Sequence, residues 1–163
     1  MQLEILALRM ICLLSFISVT AALISQYIYG MQPCAWCVFQ RLLYLLIGTL
    51  ALLTTLKKPG RIRLTIGAGF IVMGAIAGTL SAWYQEKVAA NNFSCAQTLA
   101  DQIMTKTGLD ASAPWLFGIY ASCMDARVKL LGLEYAWWSL AMFFVLGALA
   151  LGTMVSLMRV RTS

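Results

Sequence analysis

The sequence predicts an all-α membrane protein, a four-transmembrane-helix bundle with a long second loop on the outer side. Three observations lead there. Apolar residues fill 61% of the 163 positions and charged residues 11%, where a soluble domain carries about a quarter charged residues. Mean hydropathy is +0.83. Four apolar runs, about 5–29, 34–56, 64–84 and 135–158, each reach the roughly 20 residues that cross a bilayer. Only the segment of about 85–134 is long and non-spanning, so 1–163 reads as a single integral-membrane domain.

The first run carries Arg9 near its start and Cys12 in its first half. A lone cysteine on an apolar helix behaves as a small hydrophobe. The run continues well past the apolar stretch of a signal peptide, so it reads as an uncleaved helix. Ser15, Ser18, Thr20 and Ser25 suit packing between helices.

The second run opens on the stretch that concentrates the chemistry: Gln32, Pro33, Cys34, Ala35, Trp36, Cys37, Val38, Phe39, Gln40, Arg41. Pro33 suits a helix start, which sets both thiols at a positive N-terminal end where thiolates are stabilised. Arg41 lies one turn beyond Cys37 on the same face and is expected to support its thiolate. An arginine so close to hydrocarbon is a functional candidate by default. The Lys57, Lys58, Pro59, Gly60, Arg61 turn that follows sets topology.

The third run holds Gly74-x-x-x-Gly78, read as packing inside the bundle, and Gln85 and Glu86 end it. In the long segment, residues 96–107 have a helical pattern with Leu99, Ile103 and Met104 on one side. Residues 113–120 are apolar and aromatic but too short to cross. They are read either as lying in the headgroup layer or as a loop folded onto the bundle. The fourth run opens with Tyr135, Trp137 and Trp138 and serves as scaffold.

Charge sets the orientation. Seven basic residues (Arg9, Lys57, Lys58, Arg61, Arg63, Arg159, Arg161) against Glu4 fall on one side, and five basic against five acidic residues on the other. Basic loops stay inside, which puts both termini in the cytoplasm and Cys34, Cys37, Cys95 and Cys123 on the outer side. All five tryptophans are placed at the outer interface. The formal charge of +6 follows this topology and is not a nucleic-acid signature. The absence of histidine removes Ser/His and Cys/His catalysis and most metal-enzyme sites.

Three arrangements of the four outer cysteines are open: two exchanging disulfides, Cys34–Cys37 and Cys95–Cys123; a membrane scaffold stabilised by one zinc ion on all four thiolates; or a single Cys95–Cys123 staple. The zinc reading lacks a second C-x-x-C knuckle, and a staple leaves Arg41 unexplained. A C-x-x-C pair at a helix start on an oxidising face favours exchange.

Four spans, Pro33-Cys34-x-x-Cys37-x-x-x-Arg41 in the first outer loop, a second cysteine pair in a long second loop, and Leu131, Gly132, Leu133, Glu134 before the last span together resemble the DsbB family. The resemblance covers essentially the whole chain. It implies a protein of the bacterial inner membrane that reoxidises a periplasmic DsbA-type thioredoxin-fold partner and passes electrons to a membrane quinone, ubiquinone or menaquinone. It further implies that Cys95–Cys123 takes the partner's attack at Cys95, that the released Cys123 attacks Cys34, and that Cys37 delivers electrons to a quinone supported by Arg41. This chain has no histidine near the end of helix three, where some members do. A vitamin K epoxide reductase-like enzyme also couples a membrane C-x-x-C to a quinone, but with the pair near the end of its bundle.

Overall fold

The computed structural model describes residues 2–56, 59–88, 98–130 and 132–159. The apolar runs become α1 (Gln2–Tyr27), α2 (Ala35–Thr55), α3 (Arg61–Lys87) and, at the end of the chain, α7 (Tyr135–Arg159). Each is long and apolar enough to cross a membrane, and a helix satisfies its backbone polar groups internally, as hydrocarbon requires. α1 starts at Gln2 and α3 runs from Arg61 to Lys87, beyond the apolar runs on both counts. Apolar counting stops at a charge, whereas the backbone ladder continues through residues whose long side chains reach past the helix end.

The four helices close a ring: α1 packs on α2, α2 on α3, α3 on α7, and α7 back on α1. Leu8, Ile11, Ile47, Leu64, Ile71, Phe143 and Leu146 fill the centre, while Leu13, Ile62, Phe70, Met73 and Phe144 point outward. Small residues set the close approaches. A Cβ at Gly78 would run into the Phe143 ring, and one at Gly74 would press on Ile47. The Gly74-x-x-x-Gly78 pair therefore works within the bundle. At the end remote from Cys34, Arg61 donates to the Leu157 carbonyl and Arg63 to the Leu53 carbonyl, covering acceptors that the last turns of α7 and α2 leave open.

The segment between α3 and α7 folds onto α2. Its first described helix, α4 (Leu99–Thr107), opens with a capping box between Thr98 and Asp101 and closes on Gly108 at φ 66°. Sequence puts the apolar Leu99, Ile103 and Met104 on one side of it. The structure instead buries Ala100 and Met104, spaced one turn apart, and leaves Leu99 60% exposed. Leu99 is the first helical residue and faces away from α2, where Ala100 is small enough to allow close contact. α5 (Leu109–Ser112) and α6 (Pro114–Phe117) follow. Phe117 packs with Val38 and Met104, Tyr27 donates to the Trp115 carbonyl at 2.8 Å, and Trp115 and Tyr120 stay exposed. Residues 113–120 are thus folded onto the bundle. A two-residue hairpin, β1 (Lys129–Leu130) with β2 (Leu133–Glu134), pairs Lys129 with Glu134 and Leu130 with Leu133. Gly132 at φ 85° makes its turn, and the hairpin runs directly into α7.

Candidate redox site

The chain leaving α1 turns at Gly30, φ 66°, and Pro33 leads it into α2. Cys34 is the N-cap, with extended backbone (φ −87°, ψ 171°) and no capping side-chain bond. The first-turn N–H groups of α2 therefore lack the oxygen that a serine or aspartate would offer. One of them, Trp36 N–H, finds the Cys123 sulfur. Cys123 is carried there by a clasp between the loops: the Tyr120 and Ala121 N–H groups both donate to the Pro33 carbonyl, at 3.0 and 3.3 Å. Cys34, Ala35, Trp36 and Ala100 form a small buried core, with Cys37, Ile119 and Cys123 packed against it.

Cys34 is fully buried and stands between the other two sulfurs. Its Sγ lies 2.9 Å from Cys37 Sγ, and Cys123 packs beside it in the same core. Its interaction with the Cys34 thiol, helped by Trp36 N–H and opposed by burial, holds Cys123 below the ordinary thiol value. Thiol–disulfide exchange needs an attacking, a central and a leaving sulfur brought close together, and Cys123, Cys34 and Cys37 meet in one small core. All three are unbridged, as is Cys12, which packs against the main core. Cys95, expected to pair with Cys123, lies outside the described residues.

Arg41 is 5% exposed, one turn along α2 from Cys37. Its Nη1 donates to Gln26 Oε1 at 2.7 Å and to the Leu116 carbonyl at 3.1 Å, and its Nη2 to the Ala22 carbonyl at 3.4 Å. Its Nε is buried with no hydrogen-bond partner among the described residues. The side chain thus turns toward α1 and the folded loop, and the hydrogen bond to Cys37 comes from elsewhere. Gln85 Nε2 of α3 donates to Cys37 Sγ at 3.2 Å, and Gln40 Nε2 donates to Gln85 Oε1 at 2.7 Å.

Cys37, Arg41, Gln40 and Gln85 share a cavity of about 250 Å³, with Ala22 and Ser25 of α1 and Ser139 and Met142 of α7 among its other walls. Tyr44 also lines it; the ring stacks on Phe143 at 4.0 Å and 7° and its hydroxyl donates to the Ser139 carbonyl at 3.1 Å. An apolar pocket with a few converging polar groups is the usual form of a small-molecule site.

Sequence reasoning singled out neither Gln26 nor Tyr44, gave Gln40 no role, and raised Gln85 only as a helix end that, like Glu86, stands where some family members have a histidine. A signal for them existed. Polar residues inside apolar spans are candidates on cost alone, and Cys37, Gln40, Arg41 and Tyr44 fall on one helical face. Trp36, placed at the interface by sequence, is instead 7% exposed, set against Phe39 and Tyr84 with ring centroids 6.0 and 5.0 Å away. Its position in the first turn of α2 puts it beneath the folded loop.

A family model described as Disulfide bond formation protein DsbB matches residues 5–153, which include every described sulfur of the site and Arg41. The chain belongs to the DsbB family. Similar proteins include Disulfide bond formation protein B of Polaromonas naphthalenivorans, 32% identical over 165 positions that span 98% of this chain and 93% of that one. Its namesake from Nitrosomonas eutropha is 30% identical over 149 positions, 88% of this chain and 92% of the relative, and that from Nitrosomonas europaea 29% over 134, 81% and 82%. As a DsbB protein the chain is a multi-pass membrane protein with a role in disulfide bond formation, a disulfide-forming oxidoreductase.

Proposed function

We propose that this DsbB protein is a dithiol:quinone oxidoreductase of the bacterial inner membrane, multi-pass with both termini cytoplasmic, that reoxidises a periplasmic DsbA-type thioredoxin-fold protein and reduces a membrane quinone. The observation that carries the reading is the juxtaposition at the start of α2. Cys34 Sγ lies 2.9 Å from Cys37 Sγ with Cys123 packed on the same small core, and Cys37 opens onto a cavity that also holds Arg41, whose Nε has no partner among the described residues.

In this reading the resting protein holds the disulfides Cys34–Cys37 and Cys95–Cys123. The partner's thiolate attacks Cys95, a partner–Cys95 bond forms, and Cys123 leaves as a thiolate. Cys123 attacks Cys34, the Cys34–Cys37 bond breaks, and Cys37 becomes the thiolate. The partner's second thiolate then displaces Cys95, leaving the partner oxidised. Cys95 attacks Cys123 and restores their disulfide, releasing Cys34. Cys34 and Cys37 close again, giving up two electrons and two protons to a quinone, which leaves as the quinol. The cavity walls support a flat acceptor with carbonyl oxygens. Arg41 Nε is an unused charged donor, and burial among apolar groups strengthens such a bond. At about 250 Å³ the cavity is smaller than the roughly 300–1,000 Å³ of drug-sized pockets, which suits a headgroup whose tail remains in lipid. A DsbA-type oxidant sits near −120 mV, and each shortfall of about 30 mV costs about 1.4 kcal/mol for two electrons, so a membrane-dissolved quinone is a fitting final acceptor.

The test is anaerobic mixing of the purified protein with a short-chain quinone and a reduced DsbA-type protein. Loss of oxidised quinone in step with partner disulfide formation is expected, and Cys37→Ser abolishes it while still inserting into membranes. Normal quinone turnover by Cys37→Ser would refute the reading.

A further inference from the structure

The buried polar pair Gln40 and Gln85 is not accounted for by sulfur exchange or by Arg41. Both side chains are nearly inaccessible, 5% and 8% exposed, and both line the cavity beside Cys37. A primary amide presents two donors at one end and an acceptor at the other. The 2.7 Å bond from Gln40 Nε2 occupies Gln85 Oε1, which turns Gln85 Nε2 toward Cys37 Sγ at 3.2 Å. Reversing the Gln85 amide alone would set two N–H groups against each other. Gln40 follows Cys37 by three residues on α2 and so lies on the same face, which lets one glutamine orient the other across the α2–α3 contact.

We infer that Gln85 is a catalytic residue of this enzyme, an uncharged hydrogen-bond donor to the Cys37 thiolate, and that Gln40 is the positioning residue that keeps it in the donating orientation. The inference rests on the proposed role of Cys37 as the thiolate that hands on electrons. A neutral donor favours the thiolate without adding a charge to a low-dielectric site. The bond is strong while the sulfur is anionic and weak once the sulfur is in a disulfide, since hydrogen bonds to ionised groups are about twice as strong as neutral ones. Gln85 therefore stabilises the reduced Cys34–Cys37 couple relative to its disulfide. This makes Cys37 a better leaving group when Cys123 attacks Cys34. An alternative role, a plain hydrogen-bonded clasp between α2 and α3, would stabilise the bundle without favouring either redox state.

The experiment measures the Cys34–Cys37 equilibrium in a dithiothreitol redox buffer, in a Cys95→Ser/Cys123→Ser background, with thermal unfolding in parallel. Gln85→Met keeps length and removes the donor. It is expected to shift the equilibrium toward the disulfide by roughly tenfold, about 30 mV for a two-electron couple. Gln85→His, which restores an N–H donor, recovers part of the shift, and Gln40→Met gives a smaller shift of the same sign. With all five cysteines present, Gln85→Met slows quinone reduction. Should Gln85→Met fail to insert, Gln40→Met carries the same test. Lowered thermal stability with an unshifted equilibrium in these variants would reduce the pair to a clasp and overturn the inference, with the proposed function still standing if Cys37→Ser remains inactive. Active Cys37→Ser would remove the reading on which the inference rests.

Discussion

Arg41 offers the sharpest test of the proposal that the cavity binds a quinone. Replacing it with lysine keeps the positive charge and discards the planar fork, and the two are not equivalent at a multidentate site. In the native protein Nη1 and Nη2 hold Gln26 and two backbone carbonyls, and Nε is the donor left for a ligand. A lysine ammonium sits at the end of a flexible stem, and satisfying Gln26 and Leu116 draws it away from the cavity. The loss is then one hydrogen bond from a charged donor to a quinone oxygen, worth about 1.5–3 kcal/mol, or roughly ten- to hundredfold in quinone binding. Steady-state quinone reduction at saturating reduced partner should show this as a raised quinone KM, with single-turnover oxidation of the partner in quinone-free protein unchanged. Arg41→Met is harsher. It leaves Gln26 and the Leu116 carbonyl with buried, unpaired acceptors at about 1–3 kcal/mol each, partly offset because a charge no longer has to be buried, so thermal stability falls as well. A quinone KM for Arg41→Lys within about threefold of the native value, too small for loss of a charged donor, would show that Arg41 is a structural tie between α1 and the folded loop.

Two further outcomes follow from the packing and from Cys123. Gly78→Ala drives a methyl into the Phe143 ring, which is fully buried and stacked on Tyr44; overpacking of this kind costs about 1–3 kcal/mol. It should lower the unfolding temperature in detergent, and adding Phe143→Leu should recover part of the loss. In the fully reduced protein, the interaction with the Cys34 thiol holds Cys123 low, so its thiolate-dependent alkylation should rise with pH earlier than that of an ordinary thiol. Cys34→Ala removes that thiol and should move that rise to higher pH, read by mass spectrometry of the Cys123 peptide.

The spans, the sulfur pair at a helix start and the buried arginine were legible because each rests on a local rule: run length against bilayer thickness, proline before a helix, charge against hydrocarbon. What sequence could not give was direction in space. Spacing put Arg41 one turn from Cys37, and so it does lie, but its rotamer follows acceptors supplied by Gln26 and Leu116, residues far apart in the chain. The packed face of α4 departs from its apolar side at Leu99 for the same reason. A periodic pattern marks apolar positions, while the choice between Leu99 and Ala100 depends on how closely α2 approaches. Trp36 reads as an interface anchor by composition, yet the Pro33 clasp draws Ile119 and Cys123 over it, a tertiary event no window of residues contains.

The glutamines carry the same argument further. Around the reacting sulfur, the polar groups on the adjoining faces of α2 and α3 are Gln40 and Gln85, with the charge one turn deeper on Arg41. An ionisable side chain at those positions would change the charge of the site as it titrates and would move the energy of the Cys37 thiolate with it. Amides keep a fixed dipole across the working pH range, so the donor strength that Cys37 meets does not depend on bulk pH through either residue. In the proposed function the chain separates two tasks that one ionisable group could combine: a permanent cation, Arg41, lines the cavity, and a permanent dipole, Gln85, faces the sulfur. Each is held by its own partner on a different helix, Gln26 of α1 for the first and Gln40 of α2 for the second. A change in one is therefore expected to leave the geometry of the other intact.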